Sequence, residues 1–271
     1  MTDFGPPPSD RPAVPPPPPG MQGMPPPPPS MAPPPGYVPY GGPGAFSPFA
    51  RVRGIAKALV ILQIATVVAT AVLLLVQLSL VGKADDFVGD TISSSDFEDA
   101  VGPLLLLIVL SGLVAIAALV LLIIWSYRIA GNLQKLGRAP LTWKPGLTIV
   151  VWLLGGCTLN IINMLMLGEH WRGSDPEVPP HQNGWRDRPM LPLIPVWFAL
   201  GLAQIIVGIA SGMNSFGGVG VGNDTDSIAE SLSDRLPLVI ASGLLSLIAS
   251  VVMILIVRRL TDRHVLATRE S

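Results

Sequence analysis

The sequence predicts an all-α integral membrane protein with four transmembrane helices, one broken apolar segment and a disordered N-terminal tail. Three observations carry this. Only 13 % of the 271 residues are charged while 49 % are hydrophobic, against about 25 % charged in an ordinary soluble domain. Twenty of the 30 prolines fall within the first 50 residues. From Ile55 onward, uncharged runs recur at about the 20 residues that a spanning helix needs. A single soluble globule is excluded, because roughly half the charge that would clothe its surface is missing.

Residues 1–50 form the tail, with five-proline runs at Pro15 to Pro19 and Pro25 to Pro29. Proline supplies no backbone donor and the runs carry no apolar cluster, so the segment is expected to be extended and coreless. It lacks the charged start, apolar run and cleavage site of a secretory signal. Two readings stay open for it: a flexible spacer, or a ligand for an aromatic groove on a protein partner.

Residues 51–260 read as the helical membrane domain, with spans at Ala58 to Leu80, Leu104 to Trp125, Leu191 to Gly212 and Leu236 to Val257. None of the four contains Asp, Glu, Lys, Arg or His. Residues 261–271 follow as a short cytoplasmic tail. A fifth apolar stretch, Gly146 to Leu167, is interrupted by Gly155, Gly156, Cys157, Thr158 and Asn160, with Asn163 further on.

The distribution of basic residues decides how that stretch is read, because Lys and Arg gather on cytoplasmic loops. If it crosses, the two sides receive nearly equal numbers. If it enters from the cytoplasm and returns there, 15 of the 17 basic residues lie inside and only Lys83 and Arg235 outside. Each half of the broken stretch would rise about 12–14 Å, less than half of a roughly 30 Å hydrocarbon core. A re-entrant or half-inserted segment is therefore expected, with both termini cytoplasmic at the plasma membrane. The competing picture is a full crossing followed by an interfacial helix, with the C-terminus outside. The acidic stretches Val81 to Gly102 and Met213 to Asp234 are expected as outer loops.

At the inner end of the second span, Trp125, Arg128 and Asn132 are spaced i, i+3 and i+7 and so share one helix face. Gly137 reads as the helix stop, with Pro140 beyond. One reading is an interfacial tryptophan and a snorkelling arginine. The other gives Arg128 and Asn132 a role as donors to carbonyls freed at the break, or pairs Arg128 with Glu169.

The run from Trp125 to Gly137, the segment Trp143 to Trp152, and Glu169-His-Trp-Arg-Gly-Ser-Asp-Pro176 together resemble a family of actinobacterial multi-pass membrane proteins catalogued only as a domain of unknown function. That family shows Trp, Arg and Asn-Leu on one helix, a Trp-Phe-x-Pro-x-x-Asn break and a closing Trp-Arg-x-Ser. Trp125, Arg128, Asn132, Leu133, Trp152, Trp171, Arg172 and Ser174 match, whereas Gly155 stands where the family has proline and Asn160 lies about two residues late. The resemblance covers roughly residues 55–260 and implies a bacterial plasma membrane protein without an assigned activity.

The remaining patterns narrow the function. A formal net charge of −1 gives no reason to expect nucleic acid. Catalysis at membrane depth needs a nucleophile and base, paired acids or metal ligands, and Cys157 is the one ionisable group in the apolar stretches. It reads as a packing residue. His170 and His181 lack metal-ligand spacing, and Gly217 to Asp226 lacks the features of a P-loop or EF-hand, so no metal or cofactor is expected. Gly208 and Gly212 form a small-x-x-x-small pair, and Ser242, Ser246 and Ser250 recur every four residues. Such faces let helices approach within the chain or in a homo-oligomer. The lipid bilayer is the expected partner throughout. The expectation is a non-enzymatic accessory or scaffold protein whose tail recruits a partner; the alternative is a small channel or carrier lined by Gly155 to Asn163.

Overall fold

The computed structural model describes residues 49–89, 91–210 and 236–270, and every regular element among them is helical. The six α-helices are α1 (Arg53–Val88), α2 (Ser94–Lys135), α3 (Pro145–Leu154), α4 (Ile161–Gly173), α5 (Leu193–Ala210) and α6 (Leu236–Thr268). Short 3-10 turns cover Gly156–Thr158 and Gly184–Asp187. Residues 1–48 of the predicted tail and the predicted outer loop Met213 to Asp234 lie outside the described residues.

Among the described residues, three helices, α1, α2 and α6, are long and apolar enough to cross a membrane. The predicted span Leu191 to Gly212 appears as α5, helical over Leu193–Ala210, with Ser211 and Gly212 outside the described residues. The outer surfaces of these helices carry large apolar side chains, among them Ile61, Leu106 and Ile206 at 66 %, 61 % and 66 % exposure. Continuous apolar surface of this kind suits contact with lipid rather than water.

α1 packs on α2 and α6, and α5 packs on α6. α3 lies against α2, and α4 touches α2, α3, α5 and α6. The closest helix approach at a glycine of α6 is at Gly243, where an added Cβ would stand 3.0 Å from Leu74 of α1. At Gly208, by contrast, no described atom lies within 4 Å of where a Cβ would stand.

The predicted outer loop Val81 to Gly102 is mostly helix. α1 continues to Val88 and α2 begins at Ser94, because Ala84, Phe97 and Val101 bury one another and the Phe87 and Phe97 rings stack at 5.1 Å. Ser93 caps α2 reciprocally with Asp96, which supplies the hydrogen bonds that the first turn of a helix lacks.

The broken stretch forms a hairpin of two short helices. α3 ends at Leu154, a single 3-10 turn follows, and Leu159 and Asn160 take left-handed backbone angles (φ 50° and 62°) before α4 starts. The hairpin returns to where it began. Glu169 on α4 accepts the backbone N–H groups of Thr142 and Trp143, at 3.0 and 2.9 Å, just ahead of α3.

Six helix ends therefore meet at one end of the bundle: the starts of α1, α3 and α5 and the finishes of α2, α4 and α6. Apart from Lys83 at the opposite end, every described Lys and Arg belongs to this closed end. A core of Val52, Leu59, Trp125, Ile129, Leu133, Met166, Leu167, Ile194, Ile256 and Leu260 fills it.

Candidate functional site

The closed end is built around the short extended segment that leads into α1. Asn132 on α2 treats Ala50 as one strand treats another: its Oδ1 accepts the Ala50 N–H at 2.8 Å and its Nδ2 donates to the Ala50 carbonyl at 2.9 Å. Arg128, one turn earlier, donates to the carbonyl of Arg51 at 2.8 Å. The Glu270 carboxylate accepts the N–H groups of Val52 and Arg53 at 3.0–3.2 Å. Those are N–H groups that the first turn of α1 would otherwise leave unpaired. Arg128 thus contacts neither the break nor Glu169, because its helix face turns toward α1 and away from the α3–α4 hairpin.

Behind Asn132 lies a buried polar chain. The second Nδ2 proton of Asn132 points at Nε2 of His264, 3.1 Å away, and Nδ1 of His264 lies 2.8 Å from Ser174 Oγ. The Asn132 amide is oriented by Ala50, so Nε2 must accept and Nδ1 must carry the proton. His264 therefore donates to Ser174. A histidine that activates a serine accepts the serine's proton instead, and all three side chains are at most 1 % exposed. The arrangement locks helices together and offers no route to a substrate. Burial pushes the His264 pKa down to about 4, which keeps the ring neutral. Trp125 completes this face through a 3.0 Å bond from its indole N–H to Thr261.

Arg138, a residue the sequence did not single out, organises the loop after α4. It is 1 % exposed and donates to the carbonyls of Gly173, Asp175, Val178 and Pro179 at 2.6–3.1 Å. Burial draws its pKa down, and Asp175 opposes the shift. Asp175 in turn pairs with Arg188 at 3.0 Å and Arg263 at 2.7 Å, and the Arg263 guanidinium lies 4.4 Å from the centre of the Trp171 ring. Arg172 is half-buried beside them, with its Nε unpaired among the described residues. Gly137 has φ +70° and the His181 ring against it, 2.2 Å from where a Cβ would stand.

The break carries the other predicted residues. Trp152 donates to Ser126 at 2.8 Å, tying α3 to α2. Asn160 donates its backbone N–H to Gly155 at 2.7 Å, and its side-chain oxygen faces Asn163 Nδ2 at 3.4 Å. A Cβ at Gly155 would lie 2.5 Å from that amide, so Asn163 can reach back only because Gly155 is glycine. Gly156 has open space around it and Cys157 is exposed. These polar groups serve the turn itself. A cavity of about 380 Å³ does lie within the bundle, but Trp152 is the one residue of the broken segment that lines it.

Residues 90–262 match the family described as Domain of unknown function (DUF4328). The chain belongs to this family. No curated protein and no solved structure matches it. The DUF4328 region holds Trp125, Arg128, Asn132, the hairpin and Ser174, whereas Ala50, His264 and Glu270 lie outside it. The closed end therefore joins the family's motif residues to flanking segments on both sides. His264, Arg138 and Glu270 were missed because each acts through contacts across 35 to 218 positions of sequence, for which local spacing gives no signal. Among the described residues no group of three or more His, Cys, Asp and Glu is placed to hold a metal ion.

Proposed function

We propose that this DUF4328 protein is a non-enzymatic accessory or scaffold protein of the plasma membrane, with its closed end and proline-rich tail in the cytoplasm and the α3–α4 hairpin re-entrant. One observation carries the reading: the backbone of Ala50 to Arg53, where the tail meets the bundle, is held by Asn132, Arg128 and Glu270. A scaffold needs a firm attachment for the segment that recruits, and these bonds hold the residues next to it in the chain. The gathering of basic residues at the closed end supports the orientation. Trp125, Arg128, Asn132, Trp152 and Ser174 bond to backbone or to other side chains, which supports a structural role for them.

The test is removal of residues 1–48 in the cell that encodes the protein, compared with loss of the whole chain. The reading expects the same phenotype from both. Wild-type behaviour of the tail-less strain overturns it. The second reading, a small channel or carrier, draws support from the cavity inside the bundle and expects that wild-type behaviour.

A further inference from the structure

Halfway along the bundle, α1, α2, α5 and α6 line an open cavity of about 380 Å³, with Trp152 of α3 below. This is the size range of small-molecule sites and far above that of a single buried water. Its polar lining is Gln63, Thr66 and Thr70 from α1, Gln204 from α5, and Ser246 and Ser250 from α6. Gln204 lies eleven residues into α5 and Ser246 eleven residues from Val257 on α6, which puts both about 16 Å from the closed end, near the middle of a hydrocarbon core. Polar groups at that depth cost several kcal/mol each if left without partners.

The protein satisfies only part of this set. Gln204 donates to Ser246 at 2.6 Å and Thr66 to the Leu62 carbonyl at 3.0 Å. The Gln63 carboxamide, and the hydroxyls of Thr70 and Ser250, make no hydrogen bond to another described residue. A whole amide, part of a second and two hydroxyls therefore face the space. No described residue lining it is ionisable, so a charged ligand would be bound without a counter-ion in a medium where that is expensive. The Trp152 and Trp197 rings meet edge to face at 6.4 Å along its wall and supply a flat apolar surface.

The way in is lateral. α3 has ten residues and rises about 15 Å, so the hairpin separates α2 from α5 only in the half of the bundle nearest the closed end. Among the described residues α2 and α5 make no substantial contact with each other. A ligand would reach the cavity from within the bilayer.

We propose that this cavity binds an uncharged membrane-dissolved amphiphile whose polar end carries hydroxyl and ester oxygens, a neutral glycerolipid of the diacylglycerol class. The amides of Gln63 and Gln204 bond its oxygens, and its acyl chains leave through the gap between α2 and α5. The proposal is independent of the tail and of what the tail recruits.

The test uses the full chain in phosphatidylcholine liposomes and a diacylglycerol probe bearing a diazirine and an alkyne. Labelling is expected on peptides of α1, α5 and α6 that line the cavity, competed by unlabelled diacylglycerol and not by phosphatidylglycerol. It should fall at least tenfold in the Gln63→Leu/Gln204→Leu variant. Ala115→Phe, which fills the space from α2 and leaves every polar group in place, should lower it to the same extent and serves if the double variant fails to fold. Labelling that is unchanged in Ala115→Phe, that spreads over outward residues such as Ile61 and Val68, or that phosphatidylglycerol competes equally, overturns the proposal. So does loss in Ala115→Phe with full retention in a folded glutamine variant.

Discussion

The side-chain amide of Asn132 fixes the tautomer of His264. Because Ala50 dictates which way the amide points, His264 Nε2 accepts and Nδ1 donates to Ser174. One asparagine thus connects the segment before α1, the last turns of α6 and the end of α4.

Asn132→Ala should be among the most damaging single substitutions. It leaves the Ala50 N–H and carbonyl unpaired and removes the donor to His264. At about 1–3 kcal/mol for each buried group left without a partner, a loss on the order of 3 kcal/mol is expected. That corresponds to a midpoint lowered by roughly 6–12 °C for a domain of this size. Thermal unfolding in detergent measures it, with Gln134→Ala, an exposed neighbour on the same helix, expected within about 0.5 kcal/mol of the parent.

Arg138→Lys keeps the charge and should still fail. A lysine has three donors on one nitrogen and no planar fork, so it cannot span the carbonyls of Gly173, Asp175, Val178 and Pro179. The expected outcome is faster proteolytic cleavage within residues 174–182 and a loss of about 2 kcal/mol or more from unpaired buried carbonyls. Cleavage at the parental rate would show that the loop holds without Arg138.

Gly137→Ala and Gly155→Ala should both destabilise, for different reasons. At Gly137 the positive φ and the His181 ring act together, and about 1–2 kcal/mol from backbone strain alone is expected. His181→Ala should relieve part of that loss. At Gly155 the backbone is ordinary helix, and the clash is with Asn163 alone, so Asn163→Ala in the Gly155→Ala background should recover stability.

Acid should weaken the closed end through its histidines. Burial lowers the His264 pKa from 6.5 to about 4, and burial together with His264 lowers that of His170 to about 3. The folded protein then binds fewer protons than the unfolded chain below pH 6.5, so stability is full above that value and falls as pH drops toward 4. Unfolding midpoints across pH 4–8 should show this slope, and His264→Gln should flatten it. A midpoint independent of pH over that range would mean that neither ring is held neutral.

Topology follows from where the hairpin returns. In a Cys157→Ser background, single cysteines at Gln182 and Leu266, both exposed at the closed end, should react with an impermeant maleimide from the same side of the membrane. Labelling from opposite sides would sink the re-entrant assignment.

The long apolar runs of α1, α2 and α6 were legible because hydropathy over twenty residues needs no partner to interpret. The break was legible too, since adjacent glycines followed closely by threonine and asparagine in an apolar run favour a departure from helix. The outer helical extension around Phe97 was not, because acidic residues on its solvent side hid an apolar pairing with Ala84 and Phe87 on another helix. Arg128 illustrates the same limit. Its helix face could be read from spacing, but whether that face meets the hairpin or α1 depends on packing, and α1 won. Gln63 and Gln204 lie in separate apolar runs, and only the packed bundle brings both to one cavity.

The contact between Val52 and Glu270 spans 218 positions, and chains are made and inserted from the N-terminal end. The first turn of α1 thus enters the membrane long before the carboxylate that completes it exists. Until α6 is in place, the N–H groups of Val52 and Arg53 lack the acceptor that the finished bundle gives them. Closure of this junction is therefore a late event among the contacts that the described residues make.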